Sequence, residues 1–242
     1  MIVLNYHALA EGDAPSEDWT LPVALFERHL SLLADRLLSP AAFLARADDD
    51  GAARAGEALL TFDDAFLSDH EVVQARFVET GRIPGFMSFV PVAHVGEAGR
   101  MDWAMVKALD RSGSRVGSHG VDHVDLTLLD PAALGRELAV SKATLEDRLG
   151  REVPDLAFPF GRFSRRVWEA ALAAGYRRLF TIQLGHHRGF EPFLVSRLCV
   201  TNRMDADFMA RHLADPDAHR GLAYRIASRL GLYRTLMRRR FG

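Results

Sequence analysis

Cysteine is nearly absent from this chain of 242 residues. The single thiol, Cys199, excludes an intramolecular disulfide and any zinc site built on cysteine pairs. Its setting, Leu198-Cys199-Val200, reads as that of a small core residue. No run of 18 apolar residues occurs, so no transmembrane helix is expected. The opening Met1-Ile2-Val3-Leu4-Asn5-Tyr6-His7 has neither a basic stretch nor a long apolar one. No secretory signal is read there, and a cytoplasmic location is expected, with membrane association through the far end of the chain. Repeats and low-complexity sequence are missing too; the acidic Asp48-Asp49-Asp50 reads as a solvated loop. With 48% apolar and 26% charged residues, the composition excludes a mainly disordered chain, a collagen-like repeat and a simple coiled coil. A domain of this size buries enough apolar surface to need no disulfide.

Positive charge is scarce outside the last stretch. Residues 220–242 carry seven arginines and no acid, so of 30 basic residues 23 remain against 32 acids, and residues 1–219 have a net charge of −9. An acidic body argues against nucleic acid as a partner, because phosphate backbones are held by basic surfaces. Within the basic end, Leu222, Ile226, Leu230, Tyr233 and Met237 fall at helical spacing. The expected organisation is a domain over 1–219 and a basic amphipathic segment over 220–242. That segment either lies on an anionic membrane or packs on the domain.

What is present is an alternation of strand and helix. Ile2-Val3-Leu4, Ala58–Phe62, Phe86–Val90, Arg115–Ser118, Leu156–Phe158, Leu179–Ile182 and Phe193–Val200 read as strands. Val23, Phe26, Leu30, Leu33 and Leu37 predict an amphipathic helix, and further helices are expected over 69–80, 102–111, 130–149 and 165–174. Asp130-Pro131 is a helix start, Gly150 a stop, and Ser164 a cap. Alternation with short connections implies parallel strands covered by helices, in a barrel or an open sheet, with chemistry where strands end.

Three polar clusters follow apolar strands. In Thr61-Phe62-Asp63-Asp64, two adjacent carboxylates cannot both be buried without partners. A metal, a division between base and ligand, or capping of the next helix resolves the cost. In Ser118-His119-Gly120-Val121-Asp122-His123, two histidines four apart suit joint metal ligation if the chain coils between them. Ala157-Phe158-Pro159-Phe160-Gly161 is a turn whose aromatics either pack in the core or wall a sugar groove. Of the other histidines, His186 and His187 sit in a polar loop, solvated, lining the groove or supplying an alternative acid, and His29, His70, His94, His212 and His219 lack ligand-like neighbours.

Taken in order, strand–TFDD, strand–SHxxxH and strand–FPFG resemble the polysaccharide deacetylase family, the NodB-homology carbohydrate esterases of family 4 type, over roughly residues 1–203. That resemblance implies an α/β fold, a distorted (β/α) barrel with a divalent metal at its mouth. It implies Asp63 as general base and Asp64, His119 and His123 as metal ligands. Leu4-Asn5-Tyr6-His7 resembles the start of the circularly permuted branch, which includes poly-N-acetylglucosamine deacetylases, and this makes His7 the acid. Phe158, Pro159, Phe160 and Arg197 are the expected substrate-binding residues, Arg197 having the alternative of orienting Asp63. The sequence departs from the family at Ala65, usually Gly, at Gly120, usually Ser or Thr, and at Leu156-Ala157, where an Arg is common.

The implied activity is metal-dependent hydrolysis of linear amides, removing N-acetyl groups from a glycan or a lipid-linked sugar precursor. Zinc suits the nitrogen and oxygen ligands, as do cobalt, nickel, iron and manganese. The alternatives are a carbohydrate-binding protein with weakened catalysis on the same fold, and a metal esterase or amidase acting on non-sugar substrates.

Overall fold

The computed structural model describes residues 1–12, 17–48, 56–182 and 194–214. In chain order its strands are β1 (Ile2–Tyr6), β2 (Ala8–Ala10), β3 (Thr20–Pro22), β4 (Ala58–Asp63), β5 (Met87–Val90), β6 (Arg115–Ser118), β7 (Asp155–Ala157), β8 (Arg178–Thr181), β9 (Leu194–Ser196) and β10 (Leu198–Cys199). Its α-helices are α1 (Val23–Leu33), α2 (Pro40–Asp48), α3 (Trp103–Arg111), α4 (Pro131–Leu149), α5 (Arg165–Ala173) and α6 (Ala206–Ala214). A π-helix spans Asp69–Val78.

Eight strand segments form one parallel sheet in the order β10-β1-β4-β5-β6-β7-β8-β9. The two end segments are separated in sequence by Arg197 alone. Its N–H donates to Thr181 O at 2.9 Å on one side, and the Val200 N–H donates to Asn5 O at 2.8 Å on the other. One late stretch of chain therefore pairs with β8 and then with β1, and the sheet closes on itself. The fold is the expected distorted (β/α) barrel.

Strand side chains alternate between two faces. Leu4, Leu60 and Leu198 point outward into the large core shared with α1, α3 and the π-helix. Val3, Leu59, Met87, Phe89, Phe180 and Val195 point inward and fill the barrel's lower half. Each fully buried aliphatic or aromatic side chain contributes roughly 1.5–3 kcal/mol. Towards the strand C-termini the inward face becomes polar, with Asn5, Thr61, Asp63 and Arg197 all buried.

The helix signals hold at their caps. Asp102, Asp130 and Ser164 side chains accept from the Met105, Ala133 and Val167 N–H groups, and Gly150 ends α4 at φ +68°. Each such cap is worth about 1 kcal/mol. The first helix stops at Leu33 rather than Leu37, because Leu37 bridges to Ala58 and the Leu38 N–H donates to Ala58 O at 2.8 Å. The strand expected over 193–200 is two segments, split where it changes partner. The small β2–β3 sheet, α2 and α6 carry no clear signal in the sequence. Asp48 ends α2 rather than opening a loop. Asp49, Asp50, His186, His187, His219 and the segment 220–242 lie outside the described residues. No helix among the described residues is long and apolar enough to cross a membrane.

Candidate metal centre and active site

The polar clusters converge at the C-terminal mouth of the barrel, where a cleft of about 210 Å³ is lined by residues that include Asn5, His7, Asp63, Asp64, His119 and His123. This is where parallel-stranded barrels place their chemistry. Asp63 ends β4, and Asp64 leaves the strand at φ +76°, with Ala65 at φ +55°. Two consecutive left-handed residues other than glycine cost energy. The 97–101 turn holds them in place. The Arg100 Nη1 donates to Asp64 O at 2.6 Å and the Met101 N–H to Ala65 O at 2.9 Å. The Arg100 guanidinium lies 3.8 Å over the Phe66 ring. Ala65 thus sits where glycine would be easier, in a fully buried and clamped turn.

His119 follows β6 and is buried. Its Nδ1–H donates to Ala157 O at 2.8 Å. Only a protonated Nδ1 can bond a carbonyl, so the neutral ring aims the lone pair of Nε2 into the cleft. Burial lowers the His119 pKa, with Asp63 and Asp64 opposing. Gly120 turns the chain at φ +80°, and a Cβ there would meet Glu137 Oε2 at 3.0 Å. Glu137 reaches over from α4, and its Oε2 accepts from the Val121 N–H at 2.7 Å and the Asp122 N–H at 3.3 Å. The loop that carries His123 at φ +52° is therefore held by a carboxylate, and glycine at 120 is what the backbone demands.

Asp64 Oδ1 lies 3.1 Å from His123 Nε2 and 3.5 Å from His119 Nε2. One ligand atom from each of Asp64, His119 and His123 falls within 4.8 Å of the others. Asp64 Oδ1 is buried and accepts no well-aligned hydrogen bond, despite the nearby imidazole. A buried carboxylate oxygen with no donor, facing an imidazole lone pair, is the arrangement a cation stabilises. The residues fit a divalent metal held by two nitrogens and one oxygen. Burial opposes the charge on Asp64, but His123 and His119 outweigh it and hold the carboxyl below the usual range.

Asp63 is buried, and its two oxygens accept from Arg197 Nη1 at 2.7 Å and Nη2 at 2.8 Å. Nη1 also donates to Asn5 Oδ1 at 3.1 Å and Thr61 Oγ1 at 3.2 Å. The guanidinium lies 5.2 Å over the Phe89 ring. Burial alone would raise the Asp63 pKa, but Arg197 and then His119 bring it below the usual range. Arg197 is fully buried beneath Asp63, a placement that suits the alternative of orienting Asp63 better than contact with a substrate.

His7 follows β1 and lines the cleft, its ring 5.3 Å from that of Trp19. Burial lowers its pKa, while Asp63 and Asp64 raise it. The Phe158-Pro159-Phe160 wall is corrected. Phe158 is fully buried and stacks on Phe163 at 5.2 Å, and Pro159 is buried. Phe160 alone turns outward at φ +58°, half-exposed, its ring 4.7 Å from that of His123. Cys199 shares the inward face with Arg197 and lines the cleft, where the sequence suggested core. Asn5 Nδ2 contacts its sulfur at 3.7 Å, and burial pushes the thiol up to about 12. Glu137, Arg100, Asn5 and Trp19 are absent from the sequence-based site. Asn5 had a usable signal, since alternation along β1 sets it on the same face as His7.

The chain is thus a sheet-closed barrel that carries a candidate Asp-His-His metal cluster beside a second, Arg-anchored Asp. The family model for polysaccharide deacetylases matches residues 50–179, and the chain belongs to that family. It is 23% identical over 186 residues to the Bacillus subtilis (strain 168) protein YxkH, whose name places it among polysaccharide deacetylases. The match covers 76% of this chain and 64% of that protein, so the chain spans under two thirds of its relative. The fold is shared with Streptococcus pyogenes deacetylase PplD in complex with acetate (TM-score 0.76, 19% identity, 88% of this chain and 97% of that one). It is shared also with IcaB from Ammonifex degensii (TM-score 0.75, 24% identity, 88% and 96%).

Proposed function

We propose that this chain hydrolyses the N-acetyl groups of amino sugars in a bacterial-type polysaccharide or glycan precursor, with a divalent cation held by Asp64, His119 and His123. One observation carries the reading: three ligand atoms lie within 4.8 Å of one another beside an arginine-anchored carboxylate. The acetate in the PplD structure, the acid such a reaction releases, agrees with it. Zinc is the first choice for this donor set, and cobalt, nickel, iron or manganese accept the same ligands.

When bound, the cation supplies Lewis acidity, polarising the acetyl carbonyl and making a water acidic enough to yield its proton to a weak base. Asp63 is that base. Arg197 keeps it ionised and fixes it 3.8 Å from His119 Nε2. It takes the water proton as the new O–C bond forms. His7, across the cleft, gives a proton to the nitrogen as the C–N bond breaks, leaving acetate and a free amine. The Phe160 N–H is assigned to the developing oxyanion. The next two, of Gly161 and Arg162, already donate to Phe158 O and Pro159 O. We read His7 as the acid of the permuted branch.

Acetate release from N-acetylglucosamine oligomers tests the reading. Zinc-loaded protein should release acetate, chelation should stop it, and returning the metal should restore it. Asp63→Asn should keep the metal and lose about 10²–10⁴-fold in turnover. Zinc-replete protein inert on every acetylated glycan would overturn the function. We further propose that 220–242 touches anionic membrane, which suits a lipid-linked substrate. Equal liposome pelleting of chains with and without that segment would remove the idea.

A further inference from the structure

Four large apolar side chains are exposed among the described residues: Trp19, Leu128, Val140 and Phe160. The two aromatic ones line the same cleft. Phe160 follows β7 and lies against the ligand His123; Trp19 precedes β3 and lies against His7. In the strand order, β1, which leads into His7, is three places from β6 and four from β7, so the two rings stand on opposite rims of the barrel mouth.

The chemistry fixes which ring meets which part of a substrate. The acetyl carbonyl must face Asp64, His119 and His123, and the amide nitrogen must face His7. Whatever the nitrogen is attached to extends past His7, and the apolar surface beside His7 is the indole of Trp19. Trp19 is 47% exposed, whereas Phe158, two residues before Phe160, is fully buried. A flat, half-exposed indole offers a π-face to the C–H face of a pyranose and an N–H to its hydroxyls.

We propose that Trp19 is a specificity-determining platform for the pyranose ring that carries the acetamide. The preferred substrates are then cyclic amino sugars rather than small acyclic acetamides. This rests on the deacetylase reading above. The indole has no group that gives or takes a proton at neutral pH, so its contribution is to binding.

The test compares wild type, Trp19→Ala and Trp19→Phe, all zinc-loaded. Calorimetric binding of an N-acetylglucosamine tetramer should weaken at least tenfold in Trp19→Ala and be largely restored in Trp19→Phe. In turnover, Trp19→Ala should raise KM for the tetramer with little change in kcat, and should lose more kcat/KM on the tetramer than on an acyclic N-acetyl amine. Equal tetramer binding by wild type and Trp19→Ala, or no binding by wild type, overturns the platform. Equal losses of kcat on cyclic and acyclic amides also overturn it, because Trp19 would then act by positioning His7. If wild type binds the tetramer but releases no acetate, the deacetylase reading fails, and the binding comparison still decides the platform.

Discussion

Arg197 and Asp63 form a fully buried, two-pronged ion pair, and such pairs are more costly to break than they are stabilising to make. Arg197→Ala leaves Asp63 charged and alone inside the barrel. It should cost about 3–5 kcal/mol, read from urea denaturation midpoints. Asp69 is the opposite case. It is buried, Ser88 Oγ donates to its Oδ2 at 3.2 Å, its Oδ1 has no partner, and burial raises its pKa well above 3.8. The folded state therefore holds this proton more tightly than the unfolded chain. Its contribution is largest below the unfolded carboxyl value and is lost as pH rises towards the folded one. Asp69→Asn, which mimics the protonated form, should flatten that part of the stability–pH profile and stabilise the protein at neutral pH. A steeper profile in the variant would contradict the assignment. At His7, replacement by Ala should slow cleavage of an amide more than that of an activated acetate ester, whose leaving group needs no proton. Equal losses would contradict the acid role.

Among the elements, the strand ends were the most readable. An apolar run that stops at Asp63-Asp64 or at His119 announces a buried strand delivering polar groups to a rim, and periodicity alone locates it. Contacts made across the fold were not readable. Glu137 lies in the middle of α4, where a charged residue looks like ordinary solvated surface, yet it holds the loop between His119 and His123. Glu137→Ala should weaken zinc about 10–100-fold in a competition titration, and Glu137→Gln, which still offers an acceptor oxygen, should recover much of it. Phe158 and Phe160 are two apart, so an extended chain would put both on one face. The strand ends at Ala157 and Phe160 adopts a left-handed backbone, and so one ring is buried and the other exposed. Gly161 makes that turn possible: a Cβ there would sit 2.1 Å from Ile182 Cγ1. Gly161→Ala should lower both stability and glycan affinity, in a thermal melt and a binding titration.

For the molecule as a whole, the fold class was legible because seven strands alternate with helices at short spacing. Closure was not, because nothing in Val195–Cys199 says that this one stretch serves two neighbours. A cation that binds only the folded barrel must stabilise it, by about 2.7 kcal/mol when its free concentration is a hundred times its dissociation constant. For a chain of this length that is a rise of several degrees in Tm. His123→Ala should abolish the zinc-dependent rise, and a rise that persists would place the metal elsewhere.

The guanidinium beneath the base arrives on the last strand segments to join the sheet. During synthesis Asp63, Asp64, His119 and His123 all leave the ribosome before the counter-charge of Asp63 does. Arrival of residue 197 completes the wall and neutralises Asp63 together, so closing the barrel and burying that carboxylate are one event.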